Sequence, residues 1–304
     1  MDAPVTHTPA SNGVRVARAS AYELLMPASA PGPLVFASPH SGRAYPDSLL
    51  AASRLDRLTL RRSEDSFVEM LLGGVPRFGI PLLHALFPRV WCDANREAWE
   101  LDPAMFQDKL PDWVNARSPR VAAGLGTIPR VVATGEPIYS RRLSFTEAEA
   151  RISACWQPFH KALAGLVDAA RRAHGFAILI DCHSMPSVQG ADGPAGRMPD
   201  FVLGDAHGTA CHPRLTDRAE ALLSGLGYSV RRNDPYAGGY ITRHYGAPRQ
   251  HVHALQIEIN RALYMDERKF QPLDGLERIR SDLEHLVADL TGSDWHMMGP
   301  SGDN

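Results

Sequence analysis

Apolar runs that stop abruptly at polar residues recur along this chain. Residues 176–180 are continuously apolar, and Asp181, Cys182 and His183 follow with no turn residue between. A run this short and rich in isoleucine reads as a strand buried on both faces, the kind found inside α/β sheets. Residues 34–37 repeat the pattern and pass straight into Ser38-Pro39-His40-Ser41-Gly42. Pro39 fixes φ and Gly42 permits an unusual backbone angle, so His40 is expected on a tight loop. Residues 81–87 and Val90-Trp91 also read as strands, the second emptying into Cys92-Asp93-Ala94-Asn95-Arg96-Glu97. Residues 200–203 and 228–230 give two shorter strands. In residues 254–259 apolar and polar positions alternate, so Glu258 and Asn260 face one way and Ile257 and Ile259 the other.

Helical spacing marks residues 55–72, 146–173, 213–226 and 272–290. In the first, Ser63 is placed to cap a helix whose first turn holds Glu64 and Asp65 and whose apolar face uses Phe67, Met70 and Leu71. In the second, Ile152, Trp156, Phe159, Leu163, Leu166 and Val167 share one side. Thr146-Glu147-Ala148-Glu149 is its candidate capping box, and Pro158 predicts a kink or a break. His160 and His174 fit that helix's surface and its C-terminus. Residues 101–137, rich in Pro, Gly and Asp, read as a covering insertion, and long loops of this kind are often functional. Residues 187–199 read as a mobile Gly-rich loop. No repeat or clean linker divides the chain, so one α/β domain is expected over 16–295, with tails at 1–15 and 296–304.

Composition narrows the partners. The 304 residues carry a net charge of −2 with no basic block, which argues against nucleic acid. No apolar run approaches a membrane span, and the N-terminus lacks a signal-type core. Cys92, Cys155, Cys182 and Cys211 are widely spaced, as expected for reduced, buried thiols in the cytoplasm.

Open α/β sheets bind ligands at the carboxyl ends of their strands, where His40 and His183 fall. Taken singly each residue has a plainer role: His183 and Asp181 as strand-end caps, Asp65 as an offset to a helix dipole. Taken together, two imidazoles and a carboxylate suit a catalytic zinc ion that keeps a fourth place for water. Glu258, off the metal, would move the proton, and Arg96 would stabilise the oxyanion. His207 and His212, five residues apart in a loop, are a weaker pair. Gly238-Gly239 would let backbone approach a ligand.

The motifs Ser38-Pro39-His40-Ser41-Gly42, Asp181-Cys182-His183-Ser184-Met185, Asn233-Asp234-Pro235-Tyr236-Ala237-Gly238-Gly239 and the run from Gln256 to Glu267 together resemble the N-formylglutamate amidohydrolase family. The resemblance runs in order over most of the chain. It implies a three-layer α/β/α fold of the phosphorylase/hydrolase type with a mixed, largely parallel sheet. It also implies hydrolysis of N-formyl-L-glutamate to formate and L-glutamate, late in histidine degradation. By the same resemblance His40 and His183 hold one Zn²⁺ ion and Glu258 is the base. Related carboxypeptidases place a glutamate three residues after the first histidine; Arg43 stands there in this chain. Asp65 is therefore the expected third ligand, with Glu64 behind it. Arg96 looks like the carbonyl-polarising arginine, and Asp181 is expected to orient an imidazole.

The substrate would be a small dicarboxylate, and arginine forks suit carboxylates. Arg130, Arg141, Arg142, Arg243 and Arg261 are candidates. Arg130, in the insertion, and Arg261, directly after the Glu258 strand, lead them; Asn95, Gly239 and Tyr240 complete the expected pocket. Three alternatives stand beside this: a deacylase of another short N-acyl or N-formyl amino acid such as N-formyl-aspartate, a metal-free amidase using Cys182, and a non-catalytic binding protein. Cys182 and His183, adjacent on a strand, face opposite sides, which counts against the second.

Overall fold

In the computed structural model, which describes residues 6–9, 14–188 and 198–300, one nine-stranded sheet carries the chain. Its strands are β1 (Thr6–Pro9), β2 (Arg15–Arg18), β3 (Tyr22–Met26), β4 (Leu34–Ser38), β5 (Leu82–Ala85), β6 (Ala177–Met185), β7 (Phe201–Gly204), β8 (Val230–Arg232) and β9 (Val252–Asn260). Their order is β1-β2-β3-β5-β4-β6-β9-β7-β8. The central four, β5, β4, β6 and β9, are parallel, while β3 and β7 close them antiparallel on either side. Every residue of β4, β6 and β9 is buried, as the continuous apolar runs of β4 and β6 require of strands covered on both faces and as the central place of β9 requires despite its alternating pattern.

Two apolar layers cover the sheet. One packs Val35, Ala37, Leu179 and Ala254 under Phe159, Leu163 and Val167 of the helix pair α5 (Phe145–Arg151) and α6 (Gln157–His174). The other packs Phe36, Ile180, Ile257 and Ile259 under α3 (Val68–Leu71), α7 (Pro213–Gly225) and α9 (Gly275–Gly292). The fold is thus α/β/α in three layers around a mixed sheet, as the sequence predicts.

Several elements differ from the sequence reading. The expected N-terminal tail includes β1 and the first residue of β2, which pair antiparallel as the sheet's edge, and the short β3 shows little pattern in sequence. Val90-Trp91 is a turn, because Trp91 and Cys92 both bond back to the Pro88 carbonyl. The 55–72 helix is broken into α2 (Arg57–Leu60), a 3₁₀ turn and α3. Ser63 caps nothing there: its hydroxyl accepts from the Ala133 N–H, and Glu64 is extended. The capping box of α5 uses Ser144 with Glu147, two residues before the expected Thr146. At Pro158, which has no N–H to give, the helix widens into a π turn over Ile152–Trp156 without breaking. At the other end Trp295 and Met298 are buried, and the Met298 carbonyl accepts from His253 Nε2, so residues 296–300 are anchored. The expected mobile loop lies largely outside the described residues, at 189–197. No helix among the described residues is long and apolar enough to cross a membrane.

Candidate active site

The site forms where β4, β6 and β9 end. His183 on β6 and Glu258 on β9 are register partners, as are Asp181 and Gln256 one step below. In neighbouring parallel strands partners share a face, so all four side chains stand on one side of the sheet. Cys182 faces the opposite core, and burial pushes its thiol well above the ordinary range. His40 lies two residues beyond β4. Its carbonyl accepts from the Asp65 N–H at 3.0 Å, which ties together two loops far apart in sequence. Gly42 is needed for space and not for backbone angle: a Cβ there would lie 2.2 Å from the Phe87 carbonyl oxygen.

His40, Asp65 and His183 each bring a donor atom within 4.8 Å of the others. Asp65 Oδ2 is 2.9 Å from His183 Nδ1 and 3.5 Å from His40 Nδ1. The far nitrogens are engaged elsewhere, His40 Nε2 with Asp93 Oδ1 at 2.7 Å and His183 Nε2 with Asp181 Oδ1 at 3.0 Å. An ionised carboxylate only accepts, so Asp93 fixes the proton on His40 Nε2 and leaves a lone pair on Nδ1. That buried Nδ1 has no hydrogen-bond partner. Asp65 Oδ1 accepts from Arg261 Nη2 at 3.1 Å and from Ser184 Oγ at 3.2 Å, which leaves Oδ2 toward the histidines. The His40 lone pair, the His183 imidazole once it gives up a proton, and one carboxylate oxygen, converging in a buried place with carboxylates behind the rings, fit a zinc ion. Glu64 turns away, held by Arg61, Tyr45 and Ser66.

Charge is set by the company each group keeps. Burial opposes ionisation of Asp65, but His183 and His40 hold it well below the usual carboxylate range. Burial likewise opposes Asp93, and Arg89, Arg96 and His40 outweigh it. Burial disfavours the charged His183 ring, and Asp181 with Asp65 reverses that and raises its pKa well above the usual value. Glu258 goes the other way. Burial raises it to about 7, with His183 and Arg89 opposing that rise and Asp65 and Asp181 adding to it; Gln256 Nε2 donates to its carboxylate at 2.9 Å.

His40, His183 and Glu258 open together on a cavity of about 450 Å³. The profile of the family described as N-formylglutamate amidohydrolase matches residues 32–265. The chain belongs to that family. N-formylglutamate deformylase of Pseudomonas aeruginosa is 31% identical over 243 residues, covering 78% of this chain and 83% of that protein. The Pseudomonas putida protein of the same name is 30% identical over 77% of this chain and 82% of its own length. The crystal structure of N-formylglutamate amidohydrolase from Ralstonia eutropha superposes with a TM-score of 0.83 at 36% identity, over 90% of this chain and 97% of that one.

Within this N-formylglutamate amidohydrolase family member, the loop after β5 supplies Arg89, Asp93, Asn95 and Arg96 to the polar lining. Asn95 Oδ1 accepts from Ile241 N at 2.7 Å, and its Nδ2 lies 3.1 Å from His183 Nε2. Arg96 is buried, with Nε donating to the Leu125 carbonyl and Nη1 to that of Asn95; burial, with Arg89 and Arg120 beside it, lowers its pKa to about 10. The π turn and helix α6 steady this loop. Trp156 Nε1 donates to the Arg96 carbonyl at 2.9 Å, and His160 Nε2 lies 2.8 Å from that of Ala94. His160 is therefore buried and not on the helix surface, and burial lowers its pKa to about 4.

Of the expected pocket residues, Asn95, Arg96 and Gly239 line the cavity. Three lie elsewhere. Arg130 pairs with Asp102 at 2.8 Å and opens on a separate surface hollow with Arg141 and Arg142. Arg261 is buried against Ser184 and Asp65 and serves as a brace behind the donor cluster. Tyr240, at the start of α8 (Tyr240–Tyr245), stacks on His244. The sequence reading passed over Asp93, Arg89, Arg120, Tyr236 and Gln256 and ranked Arg243 below Arg130. A trace exists for Asp93, which opens the polar stretch after β5; Arg120 carries none.

Proposed function

We propose that this chain hydrolyses the formamide C–N bond of N-formyl-L-glutamate, giving formate and L-glutamate, with zinc held by His40, Asp65 and His183. The observation that carries the reading is the placement of Glu258, in register with His183, beside a buried His-Asp-His donor set in a cavity edged with arginines, where burial raises its carboxylate. Zinc bound there would polarise the formyl carbonyl and make water easier to deprotonate. Glu258 accepts a proton from the attacking water on its carboxylate, and a group with pKa near working pH does this best. It then delivers that proton to the departing amine nitrogen, so the C–N bond breaks without expelling an unprotonated amide anion. Arg89 and Arg96, both lining the cavity, hold positive charge where the carbonyl oxygen becomes negative. Asp93 and Asp181 keep the imidazoles in place, and Arg261 keeps Asp65 in place.

Metal analysis of the purified protein beside a formate-release assay tests this. About one zinc per chain is expected, with N-formyl-L-glutamate turned over in preference to N-acetyl-glutamate and to N-formyl-aspartate. Preference for N-formyl-aspartate would move the assignment to a shorter acid, and no formate from any N-formyl amino acid would overturn it.

A further inference from the structure

The cavity holds more positive charge than a reacting formyl group needs. Arg89 and Arg96 flank the buried Asp93, at 2.8 and 3.8 Å. Two further guanidinium side chains, Arg120 and Arg243, line the same cavity. Among the described residues neither has a carboxylate within ion-pair distance. Many other exposed arginines do, including Arg62 with Glu136 and Arg218 with Asp289. Two unneutralised cations on the walls of a site cost repulsion unless an anion joins them.

Arg120 is held in place by a built turn. It belongs to α4 (Pro119–Ala122), whose N-cap Ser118 accepts from Val121 N at 3.1 Å. The Arg120 carbonyl accepts from Leu125 N at 2.8 Å, and the Leu125 carbonyl accepts from Arg96 Nε at 2.8 Å. The two arginines are thus joined through a few covalent and hydrogen bonds. Gly124 makes the turn possible with φ +75°, and its carbonyl accepts from the N–H groups of Arg130 and Val131. Arg130, anchored on Asp102, packs its guanidinium beside Gly124, where an added Cβ would lie 3.1 Å from Nη2.

Depth orders these cations. Arg96 is 5% exposed and lies beside the histidines, whereas Arg120 is half-buried and Arg243 exposed. In an N-formyl amino acid the α-carboxylate sits one carbon from the formamide nitrogen, and a side-chain carboxylate sits farther out. We propose that Arg120, together with Arg243 from α8, recognises the side-chain carboxylate of the substrate, so that the 118–131 turn makes the enzyme select dianionic N-formyl amino acids. This rests on the hydrolytic reading above and names the residues that set its specificity.

The test is the ratio of kcat/KM for N-formyl-L-glutamate to that for its neutral isostere N-formyl-L-glutamine. The wild-type ratio should be large, and Arg120→Gln should cut it by about ten- to a hundredfold, the range of one hydrogen bond to a charged group. Arg243→Gln should cut it less, and Arg120→Lys should recover part of the loss. A purely structural defect lowers both rates and leaves the ratio alone. An unchanged ratio in Arg120→Gln, or a wild-type ratio near one with formate still released, overturns the inference and leaves the hydrolytic reading standing. No formate from either substrate would instead remove that reading.

Discussion

Four carboxylates, Asp65, Asp93, Asp181 and Glu258, meet near the histidines, and the surroundings of three of them divide these by role. Asp65 and Asp93 accept bonds from cations or imidazoles and stay ionised well below neutral pH. Glu258, which burial with Asp65 and Asp181 raises to about 7 against His183 and Arg89, alone among these three can exchange a proton near neutrality. The sign of the pH dependence follows. The working form of a base is the deprotonated one, so log kcat/KM should climb by about one per pH unit below pH 7 and level off above it. Glu258→Gln should abolish that acid limb and lower kcat by about 10²- to 10⁴-fold while zinc content stays near wild type. Normal turnover by the variant would show that another group moves the proton. His183 was legible because it follows directly on an apolar strand, and Glu258 because it is a lone carboxylate on an alternating strand that the family motif also carries. Asp93 was harder to see, since its importance comes from pairing with His40 across 53 residues of sequence. Arg130 misled for the converse reason: its place in the insertion was readable, but its turn toward Asp102 was not.

The elements legible in the sequence are those whose pattern matches their burial. β4, β6 and β9 are wholly buried, and the first two read as continuous apolar runs while β9 reads as an alternating strand; β1, β2 and β3 are short and pair at an edge, where little apolar patterning is demanded. The 55–72 stretch keeps helical spacing yet breaks, because the backbone must leave the helix to bring Asp65 under the His40 carbonyl. Phe67, just beyond, takes a left-handed φ of 69° as α3 begins. A similar tightness governs the loop after β4. Gly42 lies against the Leu86 and Phe87 backbone, and Ala44 N donates to the Leu86 carbonyl at 2.9 Å. Backbone cannot yield as a side chain can, so Gly42→Ala must displace the loop that carries His40. We expect a loss of about 1–3 kcal/mol in unfolding free energy, as for other overpacked sites. Zinc affinity should fall with it, read by competition with a chromophoric chelator. Wild-type stability and affinity together would show that the loop has slack the contact distances deny.

Across the whole molecule the donor cluster is assembled from the loop after β4, the segment before α3 and the end of β6, so the folded chain alone presents it. A metal that binds only the folded state stabilises it by mass action, by about 4 kcal/mol when free zinc stands at 1,000 times its Kd. With an unfolding entropy of about 2 cal/mol/K per residue, that is a shift of roughly 6 °C for a chain this long. The cluster also has supports independent of any ion: Asp65 keeps its bonds to Arg261 and Ser184, and His40 keeps Asp93. Exhaustive chelation should therefore lower the melting midpoint by several degrees without unfolding the protein at room temperature, and should abolish formate release. Zinc should restore both, and magnesium, which prefers oxygen ligands in an octahedral shell, should restore neither. Chelation that leaves midpoint and turnover unchanged would mean that the three donors form a structural ion-pair cluster, and the reaction would have to be reassigned to other groups in the same cavity.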